Sequence, residues 1–103
     1  MRIIALFNLK PGVSREEYEE WAKHRDLPGV RSLVSVKDFW VYKTTGVLFS
    51  DAKPPFDYIE VLDITRMDEF NRDIGSELVQ ALAGEMGKFT DGATFMTTES
   101  LLP

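Results

Sequence analysis

Val13 to Leu33 reads VSREEYEEWAKHRDLPGVRSL, and this stretch sets the layout of the whole chain. Ser14 stands where a helix N-cap belongs, with Glu17 three residues on, a capping box that satisfies two orphan backbone donors. Val13 before the cap and Tyr18 at the fourth helical position make a hydrophobic staple. Apolar residues at Tyr18, Trp21 and Ala22 form one stripe of a 3.6-residue period. Glu16, Glu17, Glu19 and Glu20 fill the solvent side, where negative charge near the N-terminus suits the helix dipole. Leu27-Pro28-Gly29 is read as the stop, because a residue before proline is pushed out of the α region. The predicted helix covers about Arg15 to Asp26. It carries the single histidine, His24, three residues after Trp21 and four after Glu20. That spacing puts His24 on the shoulder of the stripe, able either to reach the edge of a space under the helix or to pair with Glu20 on the surface.

Strand signals flank this helix. Arg2 to Leu9 is apolar on both faces, with Ile3, Ala5, Phe7 and Leu9 on one and Ile4 and Leu6 beside Asn8 on the other. Lys10-Pro11-Gly12 is a turn. Leu33 to Thr44 is a second strand, with Val34, Val36, Trp40 and Tyr42 on its even face and Leu33, Phe39 and Val41 on its odd face. Asp38 interrupts the even face, which suggests a bulge there. Ser50 to Pro55 is a loop, since its two prolines do not fit a central strand. Phe56 to Ile64 alternates as a third strand, with Tyr58, Glu60, Leu62 and Ile64 on one face. Thr65 is read as the cap of a short helix, with Asp68 as its capping-box acid. Ser76 caps a second segment with Leu78, Val79, Leu82, Ala83 and Met86 inward. Asp91-Gly92 turns the chain into a final strand, Ala93 to Leu101.

The order β-α-β-β-α-β predicts an α+β fold of the ferredoxin-like, split βαβ kind: a four-stranded antiparallel sheet with helices on one face. No linker, repeat or low-complexity segment divides residues 1–103, so one domain is expected. The face without helices also carries large apolar side chains, and a second copy packed sheet to sheet with two-fold symmetry would cover it, giving a dimeric α/β barrel.

Several chemistries are disfavoured by composition. A net charge of −5 offers no electrostatic footprint for nucleic acid or an anionic membrane. The chain has no cysteine, which excludes disulfides, thiolate catalysis and cysteine metal sites. With one histidine and scattered acids, no metal site is expected, and no glycine-rich phosphate loop or nucleophile elbow is present, so no cofactor is expected. No apolar run is long enough to span a bilayer, and the N-terminal MRIIALFNLK lacks a small-residue cleavage site, so a cytoplasmic protein is expected. What remains is an aromatic-rich cleft between the first helix and the sheet. Tyr18, Trp21, Trp40, Tyr42 and Tyr58 are its expected walls, and Asn8, His24, Asp38 and Glu60 its polar groups, suited to a planar, mostly apolar ligand. His24 is the candidate general acid/base, because imidazole exchanges protons near neutral pH.

The run Leu9-Lys10-Pro11-Gly12, then Ser14 to Tyr18, Trp21, His24 and Leu27 to Val30 resembles the dimeric α/β-barrel superfamily, which includes EthD-like proteins, muconolactone isomerases and small cofactor-free monooxygenases. The resemblance covers the whole chain in topology and about residues 9–31 in motif. Within the superfamily the chain is most similar to the RedY-like HapK family, associated with the biosynthesis of prodigiosin, an antibiotic pigment. The resemblance implies a homodimer with a cleft between sheet and helices, and a pyrrolic or bipyrrolic intermediate of secondary metabolism as its ligand. It leaves open whether the protein acts on that ligand or only carries it, or is instead a cofactor-free oxygenase or isomerase on an aromatic substrate. Asn8 with Trp21 or Trp40 are the stand-ins for the polar and tryptophan residues such oxygenases use, whereas His24 has no companion feature for a haem site.

Overall fold

The computed structural model describes residues 1–102. Strands β1 (Arg2–Phe7), β2 (Val36–Lys43), β3 (Tyr58–Ile64) and β4 (Thr94–Thr97) form one antiparallel sheet in the order β2-β3-β1-β4. Helices α1 (Arg15–Trp21), α2 (Leu27–Arg31), α3 (Met67–Ile74) and α4 (Glu77–Met86) fill the two crossover connections. This is the ferredoxin-like α+β fold predicted from the periodicity.

The alternation of the strands decides what each face is made of. Ile3, Ala5 and Phe7 of β1 and Tyr58, Glu60, Leu62 and Ile64 of β3 are buried beneath the helices. The register between β2 and β3 shifts between Val36 and Asp38, so a bulge does occur next to Asp38. The extra residue brings Val36 onto the buried side with Phe39, whereas Trp40 and Tyr42 turn to the helix-free face. Trp40 pairs with Val61, which pairs with Ile4, which pairs with Met96, so one apolar row crosses the whole sheet on that side.

Two clusters make up the core. Phe7, Tyr18, Ala22 and Tyr58 form one, in which Tyr18 packs against Tyr58 at 4.6 Å between ring centroids. Ile3, Val36, Phe39, Leu62 and Ile64 form the other. Burying a side chain of this size stabilises the fold by roughly 1.5–3 kcal/mol. Glu60 sits on β3 between Tyr58 of the first cluster and Leu62 of the second, at the seam of the core.

Several element ends depart from the sequence reading: β1 stops at Phe7 rather than Leu9, β2 starts at Val36 rather than Leu33 and β3 at Tyr58 rather than Phe56. The first helix does not stop at Leu27-Pro28-Gly29. It widens into a π-helical turn over Ala22–Asp26, where the Leu27 N–H donates to the Ala22 carbonyl, and then continues as α2 to Arg31. The wide turn carries the chain past Pro28, which falls in the first turn of α2, where a missing N–H and a fixed φ are tolerated. Gly29 allows α2 to approach α4, since a Cβ there would lie 3.0 Å from a Leu82 methyl. Thr65 is not the cap of α3: Arg66 holds that position without a side-chain cap bond, and the Thr65 hydroxyl donates to Glu69 instead. The last strand is short, Thr94–Thr97 rather than Ala93 to Leu101. The other caps are as read, with Ser14 accepting from the Glu17 N–H and Ser76 from the Val79 N–H.

Candidate functional site

The site starts from the π-helical turn. Tyr18, Ala22 and Asp26 follow one another at four-residue intervals and all three point inward. The third is an acid, and it is only 5% exposed. Two ties from α4 fix this turn. The Trp21 indole N–H donates to Glu85 Oε1 at 2.8 Å, and the Arg25 guanidinium grips both Glu85 oxygens at 2.9 and 2.8 Å. Those bonds hold the Glu85 carboxyl down at about 2.

Opposite Asp26, β3 presents Glu60, which is 2% exposed. Its neighbours across the strands are Ala5 and Val41, neither of which offers a side-chain donor. Glu60 Oε1 is buried without a hydrogen-bond partner, and so is the Tyr18 hydroxyl oxygen. An oxygen buried in this way carries a desolvation cost that a ligand donor can relieve. Both carboxyls respond to their surroundings. Burial, and then the negative charge on Glu85, pushes Asp26 up to about 7. Burial, and then the charge on Asp26, pushes Glu60 up to about 8. The two carboxyls titrate as a pair, and ionising the first opposes ionising the second. Burial and the neighbouring acids also raise Tyr18, which stays a neutral phenol.

Asp26 and Glu60 open onto one cavity of about 550 Å³ between the sheet and the helices. Its walls are mostly apolar: Leu62 and Phe39 from the sheet, Met67 and Phe70 from α3, Leu82 and Met86 from α4. A chamber of this size with few polar groups is the usual form of a small-molecule site. Among the described residues, no group of acids and histidines is arranged to hold a metal ion.

Of the side chains expected in the site, Glu60 lines this cavity. Tyr18, Trp21 and Tyr58 pack in the neighbouring cluster rather than along the cavity wall; the Tyr58 hydroxyl donates to Glu19 at 2.7 Å, outside it. The rest lie elsewhere. Trp40 and Tyr42 occupy the opposite face of the sheet because of the alternation of β2. Asn8 pins the 55–57 loop, accepting from the Asp57 N–H and donating to the Pro55 carbonyl. Asp38 caps its own bulge by accepting from the Phe39 N–H, beside Arg31 at 3.4 Å. His24 is two residues from both Ala22 and Asp26, which turns it to the far side of the helix. Its side chain is 71% exposed and sits 3.1 Å from Glu20. Sequence reasoning passed over Asp26, although its place on the stripe of Tyr18 and Ala22 is the signal that marks it.

A ferredoxin-like α+β sheet roofed by helices over an apolar cavity defines a class of small cavity proteins. Within that class the chain belongs to the REDY-like HapK family, whose model matches residues 1–101. It is similar to HapK from Hahella chejuensis, with 22% identity over 96% of this chain and 93% of that one and a TM-score of 0.72. It is similar in fold to an EthD family protein from Bacillus halodurans, at 18% identity over 97% of both chains and a TM-score of 0.75. A dimeric ferredoxin-like protein from Thermobifida fusca matches at 19% identity over 92% of this chain and 85% of that one, with a TM-score of 0.72. No curated protein sequence matches the chain.

Proposed function

We propose that this protein binds a planar, largely apolar pyrrolic or bipyrrolic intermediate of a prodigiosin-type pathway, in the cavity beneath α3 and α4. The observation that carries the reading is the pairing of an apolar chamber of about 550 Å³ with a buried, unpartnered Glu60 oxygen. An aromatic ring system fills such a chamber by apolar contact, and a pyrrole N–H can donate to the Glu60 oxygen that makes no hydrogen bond within the fold. Membership of the HapK family supports the pathway. Calorimetric titration with 2,2′-bipyrrole-5-carbaldehyde is expected to show one site per chain. Ala83→Phe, which adds bulk at the cavity wall, is expected to block it. Absence of binding, or binding that Ala83→Phe leaves intact, would overturn the assignment.

A second reading, catalysis by proton transfer, is favoured by the two carboxyls raised to about 7 and about 8. Groups poised there exchange protons readily at neutral pH. Asp26 is the base and protonated Glu60 the acid in this reading. Conversion of the bipyrrole by purified protein, lost in Glu60→Gln while binding persists, distinguishes an enzyme from a carrier.

A further inference from the structure

The charged residues around the cavity all have the same sign. Asp26 and Glu60 lie at its buried end and Asp91 at its edge, and no lysine, arginine or histidine lines it. Of the nearby cations, Lys10 is tied to the Gly87 carbonyl and to Asp91 at the cavity edge, where it compensates Asp91, and Arg25 grips Glu85, so no cation is paired with Asp26 or Glu60 at the buried end. Glu60 brings an acceptor oxygen, Oε1, that makes no hydrogen bond in the fold, with the equally unpartnered Tyr18 hydroxyl beside the carboxyl as a weak pull downward on its ionisation.

We infer that the cavity selects a cationic ligand: a planar, apolar ring system carrying a protonated nitrogen, seated with its charge at the Asp26–Glu60 end and its rings against the apolar walls. The inference rests on the reading of this cavity as a ligand site and names the charge class of the ligand. Three ligand classes meet the site differently. An anion at the buried end faces the Asp26–Glu60 pair with no cation beside it in a poorly solvated chamber, where like charges repel far more strongly than in water. A neutral ring system gains apolar contact but leaves the charge of the pair unbalanced. A cation balances that charge and donates to the Glu60 oxygen as well. The raised ionisation ranges of the two carboxyls are what uncompensated acids in such a chamber should show, and a bound cation would draw both toward their charged forms.

Besides the pair itself, the titratable groups that act on it or line the cavity with it are Tyr18, Glu85 and Asp91, with Tyr58 in the core cluster next to it. Tyr18 from α1 is raised and neutral, and Tyr58 from β3 is raised by burial and by its bond to Glu19. Glu85 from α4 is held ionised by Arg25 and Trp21. Asp91, at the edge, is paired with Lys10 and is more exposed. Asp26 and Glu60 are therefore the facing groups with ionisation ranges shifted to near neutrality.

The test compares three fluorescent tricyclic probes of similar shape: 9-aminoacridine as the cation, 9-anthracenemethanol as the neutral probe and 9-anthracenecarboxylate as the anion. The cation is expected to bind at least about tenfold more tightly than the anion, and its affinity to rise from about pH 6 to about pH 9 while that of the neutral probe stays level. The double variant D26N/E60Q keeps the shape of the site and removes its charge, and should bring the three affinities within about threefold of one another. Since that variant could be compromised in folding, the pH dependence in the unaltered protein stands as the independent measurement. A cation preference that is absent, insensitive to pH, or retained in D26N/E60Q overturns the inference. Binding of the neutral probe that Ala83→Phe blocks would still uphold the cavity as a ligand site. Failure of all three probes would bring down both.

Discussion

Glu60 is a residue whose burial works against the fold it belongs to. A carboxyl raised to about 8 in the folded chain from an ordinary 4.5 binds its proton more tightly there than when unfolded. Asp26, raised from 3.8 to about 7, behaves in the same way. The folded state therefore holds more protons between about pH 4 and about pH 8, and stability falls as pH rises through that window. Each tenfold gain in proton affinity corresponds to about 1.4 kcal/mol. Glu85 runs the other way: held at about 2, it contributes stability above its ordinary 4.5 that is lost as pH falls toward 2. Glu60→Gln is expected to stabilise the protein more at pH 8 than at pH 5, by about 1 kcal/mol or more. Urea unfolding at the two pH values checks this, and an equal effect at both would mean that Glu60 is not held protonated. His24 provides the contrast. Its pairing with Glu20 lies on an exposed surface, so His24→Ala is expected to change stability by less than about 0.5 kcal/mol.

At the scale of elements, the starts of α1 and α4 were legible because caps are local chemistry, whereas Thr65 was read as the cap of α3 that Arg66 provides without a side-chain bond. Ser14→Ala should cost about 1 kcal/mol in urea unfolding, since Ser14 accepts the Glu17 N–H. The strands were legible too, through alternation, and Asp38 marked its bulge by breaking a run of apolar residues. The path of the chain past Pro28 was not. A proline signals a stop when the preceding turn is α-helical, and the π-helical turn that avoids this is a compromise made with tertiary packing. The site inherits that miss. With the helix ended at Asp26, this acid reads as a solvent-facing terminus, whereas in the fold it lies buried on the stripe of Tyr18 and Ala22. Trp40 and Tyr42 were misplaced for a related reason: aromatic residues on a strand signal burial without saying on which side of the sheet. The tie from α4 gives a further expectation. Glu85→Gln weakens the grip on Arg25, and removing that charge eases the ionisation of Asp26, so the Asp26 carboxyl should titrate lower than in the unaltered protein. Carboxyl carbon shifts in an NMR titration measure it, and an unmoved Asp26 would show that Glu85 acts through packing alone.

The whole molecule leaves one face unaccounted for within a single chain. Ile4, Leu6, Ile59 and Val61 stand on the helix-free side with Trp40, Tyr42 and Met96, and Tyr42 is 52% exposed. A contiguous apolar surface of this kind marks an interaction site in a monomeric domain. At the border of this face the Arg2 guanidinium lies 5.8 Å from the Trp40 ring, with Asp63 opposite Arg2 in the register and Asp38 opposite Asp63. A second copy packed face to face under two-fold symmetry would cover such a patch with itself. The row Trp40–Val61–Ile4–Met96 places Val61 near the middle of the face, away from both core clusters. Val61→Glu then sets one carboxylate from each protomer in a desolvated contact, and leaving such charges unpaired costs roughly 3–5 kcal/mol. Sedimentation at micromolar concentration is expected to give the mass of two chains for the unaltered protein and of one for Val61→Glu, with the far-ultraviolet dichroism retained. A single-chain mass for the unaltered protein would rule out the sheet-to-sheet dimer. A two-chain mass that survives Val61→Glu would place the contact on another surface.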